Sequence, residues 1–398
     1  MQRRHFTSLI SSATGAALLA AHAPGWAQAM SQRAALAADR ILILVELKGG
    51  NDGLNTVVPY ADASYYQLRP VIGIKPDAVI KLDAQAGLHP ALQALLPLWE
   101  QGELGIVQGV GYPQPNLSHF RSIEIWETGS KSSEYLQEGW VTRGLKAGLA
   151  GSANFSTEGV LIGSSEFGAL AGARAVSLNN PEAFVNQSRL AHGMDQAQAK
   201  GNAALQYVLQ VENDINQAAQ GLRGEKYSFL TPFSPGAFGN GVKAAAQVVA
   251  SQKGKGGVPV ITLTLGSFDT HQNQPGTHAN LLKQLAEGLA ALKGALTELG
   301  AWDRTLVMTF SEFGRRPRQN NSNGTDHGTA APHFVAGGAV RGGLYGQAPD
   351  LSRLDGTQNV SYSTDFRQLY ASVAKDWWGV KPDTVTRGHF EPLKFLKT

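Results

Sequence analysis

Apolar residues along this chain fall into a few short unbroken runs and several longer stretches at helical spacing. The runs Ile41–Leu47 (ILILVEL), Leu104–Val110, Val258–Leu265 (VPVITLTL) and Thr305–Phe310 are apolar almost throughout. A strand half open to water would alternate, so these read as strands covered on both faces. A fifth apolar run, His333–Ala336, follows the last of them after a loop. Helical patterns lie between. Pro90–Gln101 carries Leu92, Leu95, Leu96 and Trp99 on one face and stops at Gly102. His278–Leu299 repeats Leu281, Leu282, Leu285, Leu289, Leu292 and Leu296, a core-facing stripe. Asp365–Trp378 is amphipathic about Tyr370, Val373 and Trp377, and Asn180–Leu222 reads as two or three Ala- and Gln-rich helices. Strands joined through helices predict an α/β fold with a mostly parallel central sheet. The main domain is expected over 40–398, with a helical insertion, a cap or side layer, at about 146–257.

Composition narrows the class. The chain has 398 residues, 42% hydrophobic and only 16% charged, with 46 Gly, which describes a loop-rich globular protein with a sizeable core. It has no cysteine, so disulfides and thiolate metal sites are excluded, and any metal must be held by carboxylate, imidazole, amide or water. Arg3-Arg4-His5-Phe6, a mildly apolar run over Leu9–Ala21 and Ala27-Gln28-Ala29 read as a twin-arginine leader over 1–29, followed by a polar linker at 30–39. The apolar run is too short and too rich in small residues for a stable membrane span. The export machinery is then a partner, and the location periplasmic or secreted. Arg3 and Arg4 leave with the leader, so Lys and Arg fall from 34 to 32 against 31 Asp and Glu. A net charge of +1 leaves no basic surplus for nucleic acid.

The candidate chemistry sits where strands stop. Ile41–Leu47 ends at Lys48-Gly49-Gly50-Asn51-Asp52-Gly53, which suits a tight turn and equally a ligand carboxylate. Val258–Leu265 ends near Asp269-Thr270-His271, two hard ligands on one side of an extended segment. Thr305–Phe310 ends at Ser311-Glu312, and the next loop delivers Asp326-His327. Ser118 opens a helix after Leu104–Val110, a position that suits an N-cap and also a nucleophile or bound anion. If the strands are parallel, all these groups share one edge of one sheet. Three or four carboxylates gathered there repel unless protonated or neutralised, which argues for a divalent cation. Zn²⁺, Mn²⁺, Mg²⁺ and Ca²⁺ all remain open.

The leader and the segments LKGGNDGLNTVVPY, PNLSHFRSIEIWETG, FDTHQNQ, SEFGRR and GTDHGTAAPHFVAGG, in that order, resemble the bacterial family called domain of unknown function 1501. That resemblance implies the alkaline phosphatase and sulfatase superfamily, and with it a three-layer α/β sandwich. Carried over, it implies Asp52, Asp269, His271, Glu312, Asp326 and His327 as metal ligands and Ser118 as nucleophile. His119 or Arg121 would steady the anion, and Arg315 and Arg316 either help bind it or are simply solvated. The sequence departs from the superfamily pattern in Glu312 for Asp and in Phe313 where a His ligand would stand. The implied activity is metal-dependent hydrolysis of a small-molecule or glycan phosphate or sulfate ester. The alternative is a non-catalytic periplasmic protein binding a metal or an anion on the same fold.

Overall fold

The computed structural model describes residues 39–149, 155–189, 202–224, 227–252 and 257–397. The expected leader, and the linker up to residue 38, lie outside the described residues. The strands in chain order are β1 (Ile41–Leu47), β2 (Val57–Val58), β3 (Ile80–Lys81), β4 (Gly87–Leu88), β5 (Leu104–Gly111) and β6 (Gly159–Ile162). They continue as β7 (Ala175–Leu178), β8 (Val260–Leu265), β9 (Thr305–Phe310), β10 (Ala331–Ala336), β11 (Gly343–Tyr345) and β12 (Thr364–Asp365). One sheet runs β11-β5-β10-β9-β1-β8-β6-β7, with β12 also on β5, and β2-β4-β3 form a small second sheet. β1 pairs in parallel with both β8 and β9, in the middle of the main sheet. Within the main sheet, among the described residues, only β10 runs against its neighbours, β5 and β9. The carboxyl ends of β1, β5, β8 and β9 and the start of β10 therefore meet at one edge.

The unbroken apolar runs are strands with both faces covered. Along β1, Ile41, Ile43, Val45 and Leu47 enter one core, while Leu42 and Leu44 enter the other. Against the first core pack the helices Gln274–Glu298 and Ala237–Ser251 and the turns Pro90–Leu95, and against the second pack His119–Thr128, Trp140–Gly144 and Phe366–Ser372. The result is the expected three-layer α/β arrangement. Among the described residues no helix is long and apolar enough to cross a membrane.

The stretch expected to be a helical insertion contains more than helices. It holds Pro181–Ser188, Ala203–Leu222 and Ala237–Ser251, but β6 and β7 lie in it too and extend the main sheet beyond β8. Four-residue strands in Gly- and Ser-rich sequence give too short a periodic signal to read. The long leucine-striped helix starts at Gln274, four residues before His278, because Pro275 is compatible with a first helical turn.

One strand residue breaks the apolar rule. Glu46 is buried at 8% exposure; its Oε2 accepts from Thr264 Oγ1 at 3.0 Å, and among the described residues its Oε1 has no hydrogen-bond partner. Burial pushes its carboxyl up to about 7, against the partial relief given by Lys48. A raised acid pKa favours folding below the unfolded value and penalises it as pH rises toward the folded value. Glu46→Gln should therefore stabilise the protein at pH 8, by at most about 3 kcal/mol, and change little at pH 4. Equal effects in urea unfolding at both pH values would refute the burial argument.

Gly49 tests the sheet edge itself. Its φ of 120° lies in the left-handed region, and a Cβ there would stand 2.4 Å from the backbone nitrogen of Asp269. Gly49→Ala should cost roughly 3 kcal/mol or more, from backbone strain and overpacking together. Gly102→Ala, at φ 68° with open space around it, should cost only about 1–2 kcal/mol. Equal losses for the two would mean that the loops after β1 and β8 do not close on each other as described.

Candidate metal centre

The sheet edge is held by backbone turns that only its sequence permits. Gly49 and Gly50 both take positive φ, 120° and 77°. The turn they make aims the Gly49 N–H at both oxygens of Glu312, at 2.9 and 3.1 Å. Ser311 Oγ donates to Leu47 O at 2.7 Å and accepts from the Asn51 N–H at 2.9 Å, stitching the end of β9 to the end of β1. A Cβ at Gly50 would meet the Phe313 ring at 2.4 Å, so Gly50 leaves the space that this ring fills.

On that base three donor groups converge. One ligand atom each from His119, Asp269 and His327 lies within 4.8 Å of the others. His119 Nδ1 is 2.7 Å from Glu312 Oε1, which turns Nε2 toward Asp269 Oδ2 at 3.4 Å. That Nε2 is buried and, among the described residues, has no hydrogen-bond partner. His327 Nδ1 donates to Leu117 O at 2.8 Å, which leaves the lone pair on Nε2, 3.2 Å from Asp269 Oδ1. His271 joins from the open side, its Nε2 at 3.0 Å from both His327 Nε2 and Asp269 Oδ1. Asp326 Oδ1 stands behind it, 3.4 Å from His271 Nδ1 and 3.2 Å from Asn320 Nδ2.

The electrostatics suit a cation. Burial alone would raise the Asp269 carboxyl, but the Arg315 hydrogen bond and charge, aided by His327, outweigh it and hold it at about 2. Asp269 is thus an anion at any working pH. The hydrogen bond that His119 donates to Glu312 raises His119 above the ordinary imidazole value, while burial lowers His327. Two imidazole nitrogens 3.0 Å apart need a shared proton or a shared cation between them. An orphaned buried Nε2, a second imidazole lone pair and a carboxylate oxygen form a nitrogen and oxygen donor set that a divalent cation such as Zn²⁺ or Mn²⁺ fits.

Of the residues expected from sequence, Asp269, His271, Asp326 and His327 come together as described. Glu312 is 1% exposed and sits one step back, orienting His119, the usual place for a carboxylate behind a ligating imidazole. Asp52 does not share the cluster. Its oxygens are taken by Arg69 at 2.6 and 2.9 Å and by the Gln274 side-chain amide. Arg121 is buried and turns its Nη2 to backbone carbonyls. It donates to the carbonyls of Lys131, Ser132 and Glu134, pairs with Glu124 at 2.9 Å and stacks on Tyr135 at 3.9 Å. Ser118 is the N-cap residue of His119–Thr128 and makes no side-chain cap bond; it is exposed.

Three residues take roles other than those expected of them. Phe313, 2% exposed, lies against His119 and His327 at centroid distances of 4.9 and 4.6 Å and is an apolar backing for both rings. Arg315 is buried rather than solvated, reaching Asp269 Oδ1 at 2.6 Å and four backbone carbonyls. His119 supplies a donor atom rather than an anion contact. The only signal for it in sequence was its place at the first turn of a helix that follows a buried strand.

An α/β sheet with a His/Asp cluster at its carboxyl edge is the class that fold and site define. The chain belongs to the family described as Protein of unknown function (DUF1501), which matches residues 101–389. No curated protein sequence matches it. Among solved structures it is similar to Ps i-CgsB in complex with k-i-k-neocarrahexaose, at 11% identity over 86% of this chain and 72% of that one, with a TM-score of 0.42. It is similar to the PsFucS1 sulfatase from Pseudoalteromonas sp. at 12% identity over 92% and 74%, TM-score 0.39. A protein in the alkaline phosphatase superfamily from Vibrio parahaemolyticus is similar at 10% identity over 86% and 67%, TM-score 0.35. Likeness of this degree says nothing of substrate or reaction.

The protonation states predict how a cation should enter. Glu312 favours a proton on His119, and a cation needs the His119 Nε2 lone pair, so the two compete. Zn²⁺ affinity should therefore tighten as pH rises through the imidazole range and go on tightening above about pH 6.5. Titration calorimetry in buffers of different ionisation enthalpy should report proton release on binding. An affinity flat across that range would remove His119 from the donor set.

Proposed function

We propose that the chain is an exported, metal-dependent hydrolase of phosphate or sulfate esters, with Ser118 as nucleophile. The observation that carries this reading is the convergence of His119, Asp269 and His327, with a His119 Nε2 that makes no hydrogen bond among the described residues, next in the chain to the exposed Ser118, whose hydroxyl makes no cap bond. Ser118 is flanked on both sides by the centre, since the Leu117 carbonyl holds His327 and His119 is itself a donor. His119, Asp269 and His327 would hold the cation, with His271 beside them. When bound, the cation would act as a Lewis acid on the ester and lower the pKa of the attacking hydroxyl.

The chain's own residues do the rest. Glu312 and the Leu117 carbonyl fix both imidazoles in the tautomers that face inward. The Ser118 oxygen attacks phosphorus or sulfur as its proton passes to solvent, and the ester bond to the leaving oxygen breaks on the opposite side. The alcohol departs with a proton from solvent, and water then attacks the serine ester to release phosphate or sulfate and restore the hydroxyl. Phe313 keeps water from the inner face of both rings.

Because Ser118 makes no cap bond, Ser118→Ala should change stability by less than the ~1 kcal/mol of a lost cap. It should lower ester hydrolysis by roughly three orders of magnitude or more while the metal stays bound. The assay is a panel of aryl phosphates, phosphodiesters and aryl sulfates with Zn²⁺, Mn²⁺, Mg²⁺ or Ca²⁺. If wild type and variant are equally inert across it, hydrolysis through Ser118 is refuted, and binding of a metal or an anion without turnover takes its place.

A further inference from the structure

Asp52 ends the central strand of the sheet, as Asp269 and Glu312 end the strands on either side, yet its surroundings are of another kind. It is fully buried, and so is Arg69, whose side chain is 0% exposed. The guanidinium grips the carboxylate with two nitrogens, Nη1 to Oδ2 at 2.6 Å and Nη2 to Oδ1 at 2.9 Å. All five of its N–H groups find acceptors: the other three go to Pro317 O at 2.8 Å, Asn55 Oδ1 at 2.6 Å and Arg316 O at 3.0 Å. Gln274 donates to the same carboxylate, and its own oxygen accepts from Thr270 at 3.2 Å and Thr325 at 2.6 Å.

The nearby histidines add no charge. His278 lies 2.9 Å from Asn51 Oδ1, and burial pulls it down to about 4, as it does His89. The network around Asp52 thus holds one carboxylate and one guanidinium, is neutral, and has neither a vacant oxygen nor contact with solvent. The cluster at His119, Asp269 and His327 differs on each count. It is partly open, with side-chain exposures of 32%, 45% and 23%, and among the described residues its His119 Nε2, 3.4 Å from Asp269 Oδ2, makes no hydrogen bond.

We propose that this protein takes a single divalent cation, at His119, Asp269 and His327, and that Arg69 is the built-in cation that closes Asp52 to a second. The inference rests on the metal-dependent reading above and sets the number of ions that reading allows. Arg69 is a positioning residue: it touches no reacting atom and acts by fixing Asp52 and the turn that carries Gly49 to Glu312. A bidentate guanidinium suits that task, since its charge cannot be lost by deprotonation and its fork fits one carboxylate.

The test counts ions. Purified full-length protein, stripped with chelator and titrated with Zn²⁺, should bind one equivalent by inductively coupled plasma mass spectrometry and by calorimetry. Two equivalents at comparable affinity would overturn the proposal. No binding at any concentration would instead overturn the metal-dependent reading on which it rests. Arg69→Met leaves Asp52 without its cation, so a folded variant should bind a second equivalent, and one that folds and still binds only one would show that Arg69 excludes nothing. Should Arg69→Met fail to fold, Asp52→Asn combined with Arg69→Met removes both charges together. That double variant should keep one equivalent within threefold of the wild-type affinity, whereas a tenfold or greater loss would make Asp52 a ligand and end the proposal. Asp269→Asn should lose the wild-type equivalent in either background.

Discussion

A buried guanidinium has no water to hydrate it and must find its acceptors within the protein. Arg315 finds them in the loops after β1, β8 and β9. It donates to the carbonyls of Gly49 and Gly50, to Phe268 O at 3.1 Å and Asp269 Oδ1 at 2.6 Å, and to Thr325 O at 2.9 Å. An unmet donor there would cost kilocalories, so these loops cannot move independently. The approach of the Gly49 turn to Asp269, the depressed Asp269 carboxyl and the placing of His327 beside it all depend on this one side chain.

Around that clamp the orientation of each imidazole is decided from outside the centre. Glu312 holds His119 by Nδ1, and a backbone carbonyl holds His327 by Nδ1. In both cases the nitrogen left to face inward is Nε2. Phe313 supplies the opposite kind of constraint, a flat apolar surface that allows the rings to tilt against it but offers them no competing hydrogen bond. Polar support on one side and apolar support on the other is what keeps a donor set preorganised before any ion arrives.

The two buried acids at the end of β1 show how the same residue type is handled in two ways. Asp52 is neutralised by a guanidinium and stays charged, its carboxyl held down by Arg69 against the penalty of burial. Among the described residues Glu46 has a hydroxyl partner and the charge of Lys48 but no ion pair, and burial raises its carboxyl toward neutrality instead. Within one strand and its turn, the presence or absence of a dedicated counter-charge decides whether a carboxylate remains an ion.

The sequence by itself determined the central strands, the leucine-striped helix, the α/β class with a mostly parallel sheet and the edge at which the chemistry gathers. Those follow from the period of apolar residues and from where glycine and acidic residues interrupt it, which are local signals. It missed β6 and β7, whose four-residue runs carry too little pattern, among the helices of the segment before β8. It also treated every acid at the sheet edge alike. Only the tertiary structure decided which of them face the centre, because that choice depends on residues far away in the chain. Arg69 reaches Asp52 and, across nearly 250 positions, the carbonyls of Arg316 and Pro317, and Glu312 meets His119 from a loop 193 residues on. Charge compensation acts through space, and no spacing of residues along a chain records it.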